Sequence, residues 1–225
     1  MMSKLVGIIA VFVAGINAQD PANSWLGYAK GVNPANTGII TMMEAYWKVP
    51  SKPKYTGCRF TPWFGIETSD NLNLIQPVNP FESGHWDIYN EYYQWSPSHD
   101  TSSKRHEVSP GDIIYGKVTL NNAKTSYDMY VSDLNDGWYG TLNIPIQSSK
   151  TGGLKSYTIS YIVWEHPCGS CADYPQDNEM LFYNISVYYD YKKVSPKWST
   201  GYVENKCDSR AKIVNETAIL LTWNS

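Results

Sequence analysis

Along the chain, short runs of alternating apolar and polar residues are separated by clusters of Gly, Pro, Asn and Asp, and no segment beyond Ala18 keeps a helical repeat. Side chains alternate in a strand and recur every 3.6 residues in a helix, so this pattern predicts an all-β chain. The predicted strands are Ile39–Val49, Cys58–Glu67, Leu72–Val78, Trp86–Trp95, Ile113–Leu120, Ser126–Asp133, Trp138–Ile146, Lys155–Glu165, Phe182–Tyr191 and Ile213–Trp223. Pro50 stops the first of them, and Pro62 marks the second as an edge or a bulge, because proline offers no N–H to a ladder. Ser96–Lys104 reads as a polar turn, while Asn121-Asn122 and Asn135-Asp136-Gly137 read as hairpin turns. Short strands at regular spacing predict an antiparallel β-sandwich or jelly roll.

One strand is unusual. In Trp86–Trp95, Tyr89, Glu91, Tyr93 and Trp95 share one face, and Asn90, Tyr92 and Gln94 share the other. Both faces mix rings with polar groups, whereas a plain core strand alternates oil with charge. The expectation is a strand lining a concave surface where rings and amides meet a polymeric ligand.

Composition narrows the setting. Met1–Ala18 carries Lys4, an apolar run from Leu5 to Ile16 and a small residue at its end. That run is shorter than the roughly 20 residues a membrane span needs, so it reads as a secretory signal peptide and places the mature start at Gln19. Residues 19–225 then form one domain, with no further membrane association expected. A formal net charge of -3 with interspersed signs argues against a nucleic-acid partner. Eighteen Tyr and nine Trp suit a secreted binder of glycans or peptides, and equally a plain sandwich. Cys58, Cys168, Cys171 and Cys207 form an even set, for which disulfides are the default in a secreted chain. A local Cys168–Cys171 bridge would leave Cys58 to pair with Cys207. Asn184-Ile-Ser186 and Asn215-Glu-Thr217 are glycosylation sequons.

His85, His99, His106 and His166 show no metal-ligand spacing, and no GxSxG is present, so neither a metal nor another cofactor is expected. Carboxylate and amide chemistry remains. Glu165 ends an otherwise uncharged run, where desolvation would raise its pKa toward the range useful for general acid and base work. Gln76 is similarly placed within Leu74-Ile75-Gln76-Pro77-Val78.

Several separated stretches, in order, resemble the eqolisins, the glutamic peptidases of the G1 type. Ser24-Trp25-Leu26-Gly27 resembles their Asn-Trp-Gly/Ala-Gly, Val49-Pro50 their Val-Pro-Ser, and Trp63-Phe64-Gly65-Ile66-Glu67 their Trp-Val-Gly-Ile-Asp. Leu74-Ile75-Gln76 falls on Ile-Leu-Gln, whose glutamine is catalytic. Tyr89-Asn90-Glu91-Tyr92-Tyr93-Gln94-Trp95-Ser96-Pro97 falls on Tyr-Asp-Ala-Trp-Tyr-Glu-Trp-Tyr-Pro, and Val108-Ser109-Pro110-Gly111-Asp112 on Ile-Ser-Glu-Gly-Asp. Tyr161-Ile162-Val163-Trp164-Glu165 is similar to Ala-Glu-Trp-Ile-Val-Glu, whose last glutamate is catalytic and precedes a short cysteine-closed loop. Strict alignment on Ile-Val puts that glutamate at Trp164, and a one-residue shift puts it at Glu165.

The resemblance implies a concanavalin A-like sandwich, with Gln76 and Glu165 as a catalytic dyad. It implies substrate contacts at Trp63, Glu67, Asn90, Tyr92, Gln94 and Trp95, and an extended polypeptide as substrate. Asn90 and Gln94 stand where the family has carboxylates, and the expectation is either a working pH moved upward or no useful activity. A second reading is a non-catalytic binder of extracellular glycan or peptide through Trp63, Trp86, Tyr92, Tyr93 and Trp95. A third is a structural extracellular protein.

Overall fold

The structure, a computed structural model, describes residues 21–149, 152–165 and 168–225. The segment read as a signal peptide, the start at Gln19 and His166 lie outside them. The described residues form strands and one short 3-10 turn, as the alternation predicts. In chain order the strands are β1 (Trp25–Val32), β2 (Ile40–Lys48), β3 (Thr61–Thr68), β4 (Asn73–Val78), β5 (Phe81–Glu82), β6 (His85–Gln94), β7 (His99–Ser102), β8 (His106–Val108) and β9 (Ile113–Leu120). They continue with β10 (Ser126–Asp133), β11 (Tyr139–Pro145), β12 (Tyr157–Glu165), β13 (Glu179–Tyr189), β14 (Lys192–Lys193), β15 (Lys197–Gly201), β16 (Arg210–Asn215) and β17 (Ala218–Thr222).

Two antiparallel sheets result. The first runs β15-β1-β12-β3-β4-β6-β5, with β7 and β8 also pairing β6. The second runs β11-β10-β9-β2-β13-β17-β16, with β14 on β13. The main core lies between them, built from residues such as Trp47, Phe64, Ile75, Val118, Ile162, Trp164 and Phe182. Burying these faces removes water from the apolar side chains that alternate inward. A second cluster of Trp25, Trp63, Leu74, Val78, Tyr89, Ile159, Tyr161 and Val163 occupies the opposite, outer face of the first sheet. Strand β3 is therefore buried along its whole length on both faces.

Four local expectations change. Strand β3 is flanked by β12 and β4, so Pro62 sits in an inner strand; it lies near the strand start, where its carbonyl still accepts Asn79 N–H at 3.0 Å. Ser96–Lys104 contains β7, which covers β6 by pairing Glu91 with Ser102. Ile213–Trp223 divides into parts of the β16–β17 hairpin, because Glu216 and Thr217 turn the chain. The disulfides join Cys58 to Cys168 and Cys171 to Cys207, replacing the expected Cys168–Cys171 and Cys58–Cys207. Cys168 is buried in the main core beside Cys58, whereas the 3-10 turn Cys171–Asp173 carries Cys171 out to the surface. The first bridge thus ties the chain just after Glu165 to the approach to β3.

Candidate active site

Glu165 owes its direction to its neighbour. Trp164 is fully buried between the sheets against Phe60, Tyr174 and Trp223, with ring centroids 4.7, 5.4 and 5.6 Å away. Because a strand changes face at every residue, Trp164 pointing inward sends Glu165 outward, beyond Tyr161 and Val163 on the same face. Gln76 reaches that face by the same rule, flanked by Leu74 and Val78 of the outer cluster. Gly65 makes room for it: a Cβ there would come within 2.5 Å of the Ile75 carbonyl oxygen and 2.9 Å of the Gln76 Cβ. Only a glycine allows β3 and β4 to approach this closely at that point.

The outer face holds a groove of about 300 Å³ lined by Ala22, Ser24, Trp25, Arg59, Leu74, Gln76, Glu91, Tyr93, Trp95, Asp100 and Glu165. It brings Gln76 and Glu165 into one cavity although they are far apart in sequence. The Gln76 Nε2 donates to Glu91 Oε2 at 2.6 Å, from the residue directly across the β4–β6 ladder. Gln76 is 4% exposed, and its Oε1 has no hydrogen-bond partner among the described residues. A buried acceptor left in that state costs about 1–3 kcal/mol, so it favours a ligand that supplies an N–H. Ser24 Oγ donates to Glu165 Oε2 at 3.3 Å.

Burial pushes the Glu165 carboxyl up to about 7, and the nearby Glu91 adds to the rise; Ser24, Arg59 and the Trp63 indole pull it back. Glu91 is also raised, first by burial and then by Asp100, against the hydrogen bond from Gln76. Two carboxylates in one partly closed groove resist ionising together.

The other residues expected at the site divide by face. Trp95 lines the groove, with Tyr93 edge-on at 5.1 Å. Trp63 lies beneath it, fully buried and edge-on to Trp25 at 5.2 Å, as part of the floor. Glu67 shares that face but is wholly buried, paired across the ladders with Ile159 and Leu74, and does not line the groove. Asn90, Tyr92 and Gln94 point the opposite way, between the sheets, which corrects their assignment to substrate contact. Asn90 Nδ2 donates to the Gly140 carbonyl of β11 at 3.0 Å, and Gln94 Nε2 donates to the Pro97 carbonyl at 2.7 Å. Asn90 and Gln94 therefore cannot replace carboxylates in the groove. The carboxylate that does stand beside Gln76, Glu91, was legible only as a member of the strand face shared with Tyr93 and Trp95.

Trp86 is likewise in the main core, against Phe60 and Phe81. The aromatic set expected to bind glycan is thus split between interior and groove and forms no single shelf. Elsewhere, His106, Asp133 and Asp136 bring potential ligand atoms within 4.8 Å of one another, but His106 Nε2 already pairs with Asp136 Oδ2 at 2.8 Å, and Asp133 accepts the Asn135 N–H.

The chain matches the Peptidase A4 family over residues 23–214. No curated protein matches it in sequence. Among solved structures it is similar to scytalido-glutamic peptidase bound to a transition state analog inhibitor, with a TM-score of 0.67 and 18% identity over 89% of this chain and 98% of the other. It is also similar to SCP-B, an eqolisin in complex with the tripeptide Ala-Ile-His, with a TM-score of 0.63 and 18% identity over 89% and 98%. The aspergilloglutamic peptidase of Aspergillus niger aligns with a TM-score of 0.51 and 18% identity over 74% and 99%. These likenesses agree with the sandwich, and the family match extends across both sheets. The chain belongs to the Peptidase A4 family, the eqolisins, and is a peptidase of that family.

Proposed function

We propose that Gln76 and Glu165 form the catalytic dyad of a secreted endopeptidase. The observation that carries this reading is their convergence on one groove, with one member raised in pKa and the other presenting an amide. Glu165, ionised, takes a proton from water as that water attacks the scissile carbonyl carbon, and then gives it to the departing amine nitrogen. Gln76 has two N–H groups; Glu91 occupies one, and the other donates to the developing oxyanion. An extended polypeptide lies along Trp25, Tyr93 and Trp95, and one of its backbone N–H groups serves the unpartnered Gln76 Oε1. Because a general base works in its ionised form, kcat/KM rises with pH through the Glu165 value near 7.

Secretion rests on the apolar N-terminal run. Asn184 and Asn215 are both exposed, as N-glycosylation requires. The test is hydrolysis of a denatured protein from about pH 2 to 8 by the purified chain, Glu165→Gln and Gln76→Ala. Cleavage by the parent that both variants lose supports the dyad. A folded, disulfide-bonded parent inactive at every pH refutes the assignment.

A further inference from the structure

The dyad leaves Glu91 without a role. It sits directly opposite Gln76 in the β4–β6 register and holds the Gln76 Nε2 at 2.6 Å. An ionised carboxylate can only accept, so it selects the nitrogen end of the amide and keeps the oxygen turned away from itself. The strength of a charge-assisted bond makes that selection firm. The groups facing Glu91 are Gln76 from β4, Tyr89 from its own strand with its hydroxyl 3.5 Å away, and Asp100 from β7. Arg59 acts on it from the groove rim, and Glu165 lines the same cavity from β12. The eqolisin motif that this strand resembles has alanine at the position of Glu91, so the resemblance supplies no role for it.

We propose that Glu91 is a positioning residue of this site: it fixes the direction of the Gln76 amide and sets Glu165 against a second negative charge in the groove. The proposal rests on the Gln76/Glu165 reading for its effect on catalysis. Its geometry also has a consequence that needs no turnover. Removing the charge of Glu91 eases ionisation of Glu165, because a like-charged neighbour disfavours the charged form.

Two substitutions separate the two effects. Glu91→Ala removes both the acceptor and the charge; kcat should fall by about 10- to 100-fold with KM changed less than about twofold, since misdirecting Gln76 weakens an oxyanion donor worth about 10²–10³. Glu91→Gln removes the charge and keeps an acceptor oxygen for Gln76, while its new N–H groups make the selection of the amide's nitrogen end less strict. It should recover part of the lost kcat while the acid limb of kcat/KM moves about one pH unit lower. Equal losses in both variants with an unmoved acid limb would reduce Glu91 to packing and overturn the proposal.

The second readout is the ¹³C NMR titration of side-chain carboxyls, with the Glu165 signal assigned by its absence in Glu165→Gln. A lower apparent pKa for Glu165 in Glu91→Gln than in the parent supports the proposal even where the parent cleaves nothing, an outcome that would sink the dyad's function alone. An unchanged Glu165 titration overturns the electrostatic half of the proposal whatever the activity.

Discussion

The two faces of the first sheet are built from the same residue types and do opposite things. On the inner face, Asn73 Nδ2 donates to Tyr92 Oη and Gln94 Oε1, each at 2.6 Å, Tyr92 Oη donates to Gln94 Oε1 at 2.6 Å, and Lys155 Nζ donates to Asn73 Oδ1. With Gln94 Nε2 on Pro97, every polar atom of these two amides has a partner. On the outer face, Gln76 keeps one amide atom unpartnered inside the groove and Glu165 holds its proton to about pH 7, whereas the unpartnered Asn90 Oδ1 of the inner face is sealed between the sheets. A satisfied buried network specifies a structure, and an unsatisfied one is poised to meet a ligand. The contrast teaches that an amide beside a ring carries functional meaning only where its unpartnered atom also opens on a groove, as at Gln76 and not at Asn90.

The sharpest way to break this contrast is to neutralise each face in turn and compare activity with stability. Glu165→Gln should lower kcat/KM by at least about 10²- to 10⁴-fold, the usual worth of a general base, with the fold retained by circular dichroism. Gln76→Ala should cost about 10²–10³ in kcat, measured under saturating substrate. Gln94→Ala should behave in the opposite way. It strips Asn73 and Tyr92 of an acceptor and loses about 1–3 kcal/mol in urea unfolding, yet its kcat stays within about twofold of the parent. A Gln94→Ala variant of full stability and crippled turnover would erase the distinction between the faces.

How much of this was legible in the sequence differed from residue to residue. Alternation gave the all-β class and most strand positions, because burial on one face enforces a period of two. The order of short motifs singled out Gln76 and Glu165. Which side of β6 faces solvent was not legible, since Tyr89, Glu91, Tyr93 and Trp95 look as amphipathic as Asn90, Tyr92 and Gln94. That choice is made by distant contacts, such as Asn90 reaching Gly140 of the second sheet. Which of Trp164 and Glu165 points outward is likewise decided by the core, where Trp164 meets Trp223 from the far end of the chain. The disulfide pattern escaped because spacing favours a local Cys168–Cys171 bridge, while a single 3-10 turn sends the two thiols to different partners. Local pattern names the candidates, and tertiary packing decides which way they point.

A last predicted effect, confined to the upper end of the pH range, sharpens the comparison without any substrate. The Glu165 carboxyl lies near 7 in the folded chain, against about 4.3 for an unperturbed glutamate in the unfolded one. Between those values the folded state holds a proton that the unfolded state has released, so the slope of unfolding free energy with pH is negative. The stability linked to Glu165 is therefore full below about pH 4, declines through the window and is lost above about pH 7. Glu165→Gln, which cannot ionise, removes that decline. It should be more stable than the parent by about 1–3 kcal/mol at pH 8 and differ little at pH 4, as read from urea midpoints at both pH values. Gln94→Ala, with no ionisable group removed, should lose the same stability at both. If Glu165→Gln instead proves less stable than the parent at pH 8, the carboxylate is well solvated and hydrogen-bonded in the groove, and the outer face is not poised in the way the contrast requires.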